Sequence, residues 1–332
     1  MRMQPFIYLE PKTLKEALLM LNEHKEKLKI LSGGTETVAL LKLHLIKPQY
    51  IMSLKRLSNI KGIQKQDKEI IIGGATTLSE IIASPIIYSL FKGIIEAARA
   101  VAAPQIQNIG TIAGNILQDS RCLFYNQSEL VRGGLEPCFK MKGRLCRAVK
   151  GAKRCFSVYQ GDLAPMLIAF KAKARLEKKG KARTVYISDL FSGNGKQPIN
   201  IEKDELLTKI ILPFNGVNRV GSSYQKLRMR GSIDYPLASA ASVLHADDKG
   251  DIVDYCVVVG AAGASPKMVP KPLLGKEIKL TPEYIDAVAL SAYKISEGAN
   301  NQPLSGAYRR KMIKVVTKRA MNNSLKDIQG EQ

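Results

Sequence analysis

Four cysteines, Cys122, Cys138, Cys146 and Cys155, fall within thirty-four residues of a 332-residue chain, spaced Cys-x15-Cys-x7-Cys-x8-Cys. The chain has five cysteines, so a uniform spread would put about half of one in such a window. In a reducing compartment, clustered thiols are more often metal ligands than disulfides. Structural zinc usually takes tight C-x2–4-C knuckles. Four separated thiolates on a long loop can equally surround a cubane, because iron–sulfur clusters favour four-cysteine ligation. Spacing alone leaves cluster and zinc open. Charge tilts the balance towards an anionic cluster. The window 121–155 holds nine basic residues, Arg121, Arg132, Lys140, Lys142, Arg144, Arg147, Lys150, Lys153 and Arg154, against two acids, Glu129 and Glu136. Nearby cations stabilise thiolate and cluster charge, although a loop that merely shared the chain's basic bias would look the same. Cys256 sits in the apolar run Tyr255 to Val259 and reads as a structural thiol in a strand.

The second set of residues is glycine-based. In Leu31-Ser32-Gly33-Gly34-Thr35-Glu36 an apolar strand feeds a glycine pair and then a helix. Such a turn lets backbone N–H groups approach a diphosphate, with the helix N-terminus adding a favourable dipole. It matches neither the Rossmann nor the P-loop pattern, and a glycine pair alone also serves simple turns. A second small-residue turn, Thr111-Ile112-Ala113-Gly114-Asn115, offers close approach at 113 and 114, with side-chain hydrogen-bonding groups at Thr111 and Asn115. Two such turns together suit a large diphosphate cofactor held between them.

The elements that must position these residues follow from periodicity. Phe6 to Leu9, Leu28 to Leu31 and Tyr50 to Leu54 read as strands. Thr13 and Glu16 form a capping-box pattern before an apolar helical face of Leu14, Ala17, Leu18 and Leu21. Val38 to Leu45 reads as a helix. Glu69 to Ile72 is a strand ended by Gly73-Gly74, Thr77 to Ile82 starts a helix, and Ile86 to Val101 reads as one helix. The cysteine segment lacks periodicity. Leu163 to Phe170 resumes a helix, with Asp162 as its expected cap, and Ala174 to Leu176, Thr184 to Ile187 and Glu205 to Ile211 are strands. Pro213 to Gly216 reads as a linker. Beyond it, Ser222 to Met229, Ala238 to His245 and Ile252 to Gly260 suggest antiparallel strands, followed by helices at Pro282 to Ile295 and Ala307 to Met321 and a frayed polar tail.

Composition narrows the function classes. Hydrophobic residues at 45 % allow a packed core, and no stretch approaches the roughly 20 apolar residues of a membrane helix. The start lacks a signal-peptide core, so the expectation is a cytoplasmic protein with no membrane association. The net charge of +22 reads first as a solvated basic surface with no special role, and next as a match for an acidic partner. No nucleic-acid module is recognisable, and with aromatics at 6 % and no Trp, base-stacking platforms are scarce, so no nucleic acid is expected. The sequence contains no nucleophile elbow, H-E-x-x-H or EF-hand pattern, and its three histidines are scattered.

Residues 28–36, 104–115 and 157–165 occur in an order that resembles the FAD-binding subunits of the xanthine dehydrogenase and carbon monoxide dehydrogenase family of molybdenum hydroxylases. The resemblance runs from about Phe6 to about Ala320. It implies an α+β fold, with a two-lobed FAD-binding domain of the PCMH type and a smaller C-terminal α+β domain of antiparallel sheet and helices. The expected boundaries are 1–57 for the first lobe, 58–215 for the second with its cysteine loop at 119–157, and 218–325 for the C-terminal domain. By position, Lys29, Ile30, Leu31, Ser32, Gly33, Gly34, Thr35 and Glu36, with Thr111, Ile112, Ala113, Gly114 and Asn115, would hold the FAD diphosphate. Asp119, Leu207 and Lys226 would lie along the rest of the cofactor. On sequence alone, Tyr224 and Lys226 read equally as flanking its ring system or as a surface pair, and Asp162 reads as a helix cap or as approaching the flavin. The sequence departs from the family pattern at Ala103, Gln107 and Ala113, where Asp, Arg and Gly are expected.

The cysteine loop, beginning Asp119-Ser120-Arg121-Cys122-Leu123-Phe124-Tyr125-Asn126, is similar to that of the β subunits of 4-hydroxybenzoyl-CoA reductases. This implies a [4Fe–4S] cluster on Cys122, Cys138, Cys146 and Cys155. It also implies a dimerised heterotrimer with a large molybdopterin subunit and a small [2Fe–2S] subunit, and ferredoxin as electron donor. The alternatives are an ordinary hydroxylase subunit passing electrons outward to NAD or quinone and, from another class, a zinc-stabilised basic binding module.

Overall fold

The computed structural model describes residues 3–214, 219–272 and 278–330. Its first sheet is parallel, built from β1 (Ile7–Leu9), β2 (Leu28–Leu31) and β3 (Tyr50–Ser53) in the order β1-β3-β2. Parallel neighbours need crossover connections. The first crossover is the helix Leu14–His24, which buries Ala17, Leu18 and Leu21. Thr13 caps it, its hydroxyl accepting from Glu16 N at 3.2 Å. The Glu16 carboxylate reaches back one residue further than a capping box requires, to Lys12 N at 2.7 Å. The second crossover begins at Gly33-Gly34. Its helix is Thr37–Lys42, shorter than the span to Leu45 read from the sequence, with His44 in a positive-φ conformation just beyond it.

The second sheet holds β4 (Ile63–Lys65), β5 (Glu69–Gly73), β6 (Lys173–Lys178), β7 (Lys181–Tyr186) and β8 (Leu206–Pro213), antiparallel in the order β4-β5-β8-β6-β7. Ile70 opposes Leu212 and Ile72 opposes Ile210, so period-two alternation puts these four apolar side chains into the core. Everything that carries the second glycine turn and the cysteine loop lies between β5 and β6. The sequence suggested one helix from 86 to 101. The chain instead makes two, Pro85–Leu90 and Lys92–Ala100, broken at Phe91 (φ −142°, ψ 51°). At the break Phe91 packs edge-on against Phe170, ring centroids 5.0 Å apart, and Gly93 N donates to Ser222 Oγ at 2.9 Å. Tertiary packing on the C-terminal sheet therefore overrides local helical periodicity.

That sheet comprises β9 (Arg219–Leu227), β10 (Ala238–Ala246), β11 (Ile252–Gly260) and β12 (Lys267–Met268), antiparallel in the order β12-β11-β10-β9. β10 is rich in Ala and Ser because both its faces are covered. Ala241 and Val243 join the core containing Leu163 and Met166, while Ala238, Ala240 and Leu244 face Val288, Ile313 and Val316. The last two helices are Pro282–Ile295 and Gly306–Gln329. The expected frayed tail is thus eight residues of further helix beyond Met321. It is held because Ser324 Oγ donates to Ser242 O at 3.1 Å and Asp327 accepts from Lys92 Nζ at 2.8 Å and Ser222 N at 3.0 Å. Of the expected linker, Asn215 and Gly216 lie outside the described residues, and Pro213 closes β8. Among the described residues no helix is long and apolar enough to cross a membrane.

One buried ion pair joins the C-terminal sheet to the rest. Lys226 Nζ on β9 lies 3.0 Å from Asp162 Oδ1 and also donates to Ala100 O at 2.8 Å and Asp234 O at 2.9 Å. Both side chains are about 5 % exposed, at 4 % and 6 %, and Tyr224 Oη donates to the same carboxylate at 2.8 Å. Asp162 therefore does not cap the helix Leu163–Ala169 as the sequence suggested, and its side chain makes no capping hydrogen bond. Removing one partner of a buried pair strands the other charge, at about 3–5 kcal/mol. Lys226→Met is expected to lower stability by that amount in denaturant melts, and Asp162→Asn in the same chain to recover part of it.

Candidate functional site

The two small-residue turns meet. A Cβ placed on Gly33 would fall 2.1 Å from Ile109 O and 2.8 Å from Gly110 Cα, so these backbones touch only because residue 33 has no side chain. The contact is tied by Ser32 Oγ and Thr111 Oγ1, 2.8 Å apart. Gly34 has φ +77°, the left-handed region that glycine adopts without strain. The Thr111 turn is set from behind. Ile112 N donates to Thr76 O and Ala113 N to Gly74 O, each at 3.0 Å. A Cβ on Gly74 would meet Leu207 O at 2.4 Å and lie 3.4 Å from the Ala113 methyl. The Gly73-Gly74 pair, read from sequence only as a break, is thus part of the support for this turn. Ala113 is accommodated where the family pattern has glycine, buried in a short helix, Ile112–Ile116, at negative φ.

The hydroxyl of Thr111 and the amide oxygen of Asn115 are directed inward. Thr111 Oγ1 accepts from Gly114 N at 3.2 Å, and Asn115 Oδ1 accepts from Leu163 N at 3.1 Å. They shape the turn. Outward the pair of turns presents Ser32, Gly33 and Gly34, partly exposed, and Thr35 and Gly114, exposed, the three glycines offering backbone alone. Below them Lys29 and Glu36 sit close enough to influence each other. Burial pushes the Lys29 ammonium below its ordinary value, with Asp119 and Glu36 opposing. Burial likewise pushes the Glu36 carboxyl up, with Arg121 opposing. Ile30 and Leu31 are half-buried in β2. Leu207 is buried in β8 opposite Leu176. Lys226, with one ammonium proton for each of its three partners above, is engaged within the protein, and Tyr224 is buried beside it. Gln107 donates to Arg99 O at 3.1 Å and Val101 O at 2.8 Å, so it serves the backbone of its own loop.

The cysteine loop starts directly beside these turns. Arg121 Nη1 lies 3.3 Å from Glu36 Oε1, and its guanidinium stacks 4.1 Å from the Tyr235 ring centroid. Asp119 accepts from Lys140 Nζ at 2.8 Å through both oxygens. Cys122, Cys138, Cys146 and Cys155 all line one cavity, walled by Phe124, Tyr125, Phe139 and Phe156 and by Lys140. All are free thiols. Cys122 and Cys138 are held by tight local structure. Cys122 O accepts from Tyr125 N at 3.0 Å and Asn126 N at 2.8 Å; Cys138 O accepts from Met141 N at 2.8 Å and Gly143 N at 2.9 Å. A Cβ on Gly143 would lie 1.7 Å from Pro137 O. Burial pushes the Cys122 thiol up to about 11, although the backbone N–H groups of Phe124 and Tyr125 donate to it. Burial also pushes Cys155 up, against a hydrogen bond from Ser157 N at 3.4 Å and the charge of Lys140.

Metal coordination is what makes such buried thiols ionise at neutral pH. Among the described residues no three His, Cys, Asp or Glu side chains gather tightly enough to hold a metal ion. A tetrahedral zinc needs that closeness, whereas a cubane spreads its ligands around an inorganic core. The four thiols share this cavity with N–H···S bonds to Cys122 and Cys155 and with the buried Lys140. Sequence reasoning counted Lys140 only among nine basic residues and missed its 3 % exposure and its bond to Asp119. Its place between Cys138 and Cys146 was the only available signal. Cys256, in β11, is partly buried with its thiol pushed up to about 11 by burial, in keeping with a structural role.

Residues 2–215 match the family described as "FAD binding domain in molybdopterin dehydrogenase". The chain is 26 % identical over 323 residues to the carbon monoxide dehydrogenase medium chain of Hydrogenophaga pseudoflava, covering 96 % of each. It is 25 % identical over 334 residues to the nicotinate dehydrogenase FAD-subunit of Eubacterium barkeri, covering 99 % of each. Among solved structures, reconstituted CO dehydrogenase from Oligotropha carboxidovorans shares the fold with a TM-score of 0.79 at 25 % identity, over 98 % of this chain and 99 % of that one. The expected α+β class holds.

The glycine contact gives a direct test. Gly33→Ala forces the two turns apart, an overpacking expected to lower stability by about 1–3 kcal/mol and to reduce the flavin that copurifies. Gly133→Ala meets nothing within 4 Å and is expected to stay within about 0.5 kcal/mol of the parent. Thermal melts and the flavin-to-protein absorbance ratio report both.

Proposed function

This chain belongs to the family of FAD-binding domains of molybdopterin dehydrogenases and is an FAD subunit of the molybdenum hydroxylase kind. From that premise we propose that it works as in an ordinary hydroxylase, beside a large molybdopterin subunit and a small [2Fe–2S] subunit, with NAD or a quinone as the final electron acceptor. Bound FAD supplies the interconversion of two-electron and one-electron transfer, which no side chain can provide. The protein's part is binding and tuning. Backbone at Ser32, Gly33, Gly34, Thr35 and Gly114 takes the diphosphate, with Ile112, Ala113 and Asn115 fixing the turn. Lys29, Glu36 and Asp119 set the local charge, and Leu207 and Lys226 bound the site from β8 and β9. The observation that carries this reading is the contact of the two turns at Gly33 and Ile109, which gives one continuous backbone surface for the diphosphate.

The shared cavity of the four cysteines favours a second, finer reading. In it Cys122, Cys138, Cys146 and Cys155 hold a [4Fe–4S] cluster beside the flavin, as in a 4-hydroxybenzoyl-CoA reductase, and reduced ferredoxin is the electron donor. Basic residues of the loop would steer an acidic donor to it. The hydroxylase reading and this one differ in the loop's role. Cys138→Ser is expected to lose iron and sulfide and at least tenfold of ferredoxin-linked reduction while keeping its FAD. Unchanged ferredoxin-linked rates, with NADH the better reductant, return the assignment to the hydroxylase reading. Loss of flavin together with iron makes the loop a folding element.

A further inference from the structure

Ser157 follows the last cysteine ligand candidate by two residues and lines the same cavity as all four. It is 2 % exposed, and its hydroxyl has no hydrogen-bond partner among the described residues. A buried hydroxyl left unpaired costs about 1–3 kcal/mol, so such a group on a cavity wall points to an acceptor inside the cavity. The side chain is also held in place. A Cβ on Gly195 would lie 2.6 Å from Ser157 N, 2.7 Å from Ser157 O and 2.9 Å from Ser157 Cβ, so that loop is packed flat against it. Ser120 Oγ pins the loop by donating to Gly195 O at 2.7 Å. On the other side, Val158 is hydrogen-bonded in both directions to Arg121. Ser157 N already donates to Cys155 Sγ at 3.4 Å, which sets the residue against the sulfur side of the cavity.

We propose that the Ser157 hydroxyl donates a hydrogen bond to a sulfur of the iron–sulfur cluster and thereby raises its reduction potential. The inference rests on the cluster reading above. Sulfur gains negative charge when the cluster accepts an electron, so a fixed donor stabilises the reduced state more than the oxidised one. The proton stays on oxygen throughout, and no bond is made or broken. Ser157 is a tuning residue. Cluster assembly rests on the cysteines.

The test is an anaerobic redox titration of the assembled complex, following the electron paramagnetic resonance signal of the reduced cluster in the parent, Ser157→Ala and Ser157→Thr. The alanine variant is expected to keep its iron and sulfide and to shift its midpoint in the negative direction. One hydrogen bond corresponds to a roughly fivefold change in the reduced-to-oxidised ratio at fixed potential, or about 40 mV for one electron. Threonine retains the hydroxyl and the parent midpoint. An alanine variant with the parent midpoint overturns the inference while leaving the cluster reading intact. An alanine variant that loses its iron also overturns it, because Ser157 is then a scaffold. A parent protein without iron and sulfide removes the cluster reading and this assignment with it.

Discussion

Two backbone hydrogen bonds hold this molecule's chemistry together. Arg121 N donates to Val158 O at 2.7 Å, and Val158 N donates to Arg121 O at 2.9 Å. They close the excursion that carries all four cysteines, and they do so at a residue whose guanidinium reaches Glu36 on the glycine turn. The neighbouring Asp119 is bound by Lys140 from inside the excursion and influences Lys29 on the other side. Segment 119–122 is therefore a shared wall. The small-residue turns and the thiol cavity adjoin the same few residues.

The electrostatics have the same character on both sides. Burial drives Lys29 and Glu36 towards neutrality, as it drives Cys122 and Cys155 towards the protonated thiol. Partially compensated charges next to a cavity are costly without a ligand. Here neighbours offset them in part, Lys29 by Asp119, Glu36 by Arg121 and Cys155 by Lys140. The cysteine loop shares in the chain's basic excess, with nine basic residues against two acids in 121–155. Buried Lys226 with Asp162 is a different case. Its donors are all engaged within the protein, so it acts on any cofactor through the packing of β9 against the core.

Much of this was legible in the sequence because it depends on local pattern. The cysteine cluster is a matter of spacing, the glycine turns of residue type after an apolar run, and the strands of alternation and length. The unread part depends on contacts distant along the chain. Nothing near Gly33 announces that Ile109 will press against it, and nothing near Phe91 announces Phe170, so a broken helix read as a whole one. The polar composition after Met321 looked like a tail because its partners, Lys92, Ser222 and Ser242, are far away in sequence. Thr111 and Asn115 were read by hydrogen-bonding capacity alone, whereas their direction is set by Gly114 and Leu163. Asp162 looked like a cap, and only the approach of β9 turns it into half of an ion pair.

The central claim is that this subunit of the molybdenum hydroxylase kind holds one flavin. Its most direct test is the flavin, iron, zinc and acid-labile sulfide content of the anaerobically purified protein. The account predicts one FAD per chain, while four iron and four sulfide, as a [4Fe–4S] cluster requires, would select the finer reading of the cysteine loop. Protein that carries no flavin would contradict it.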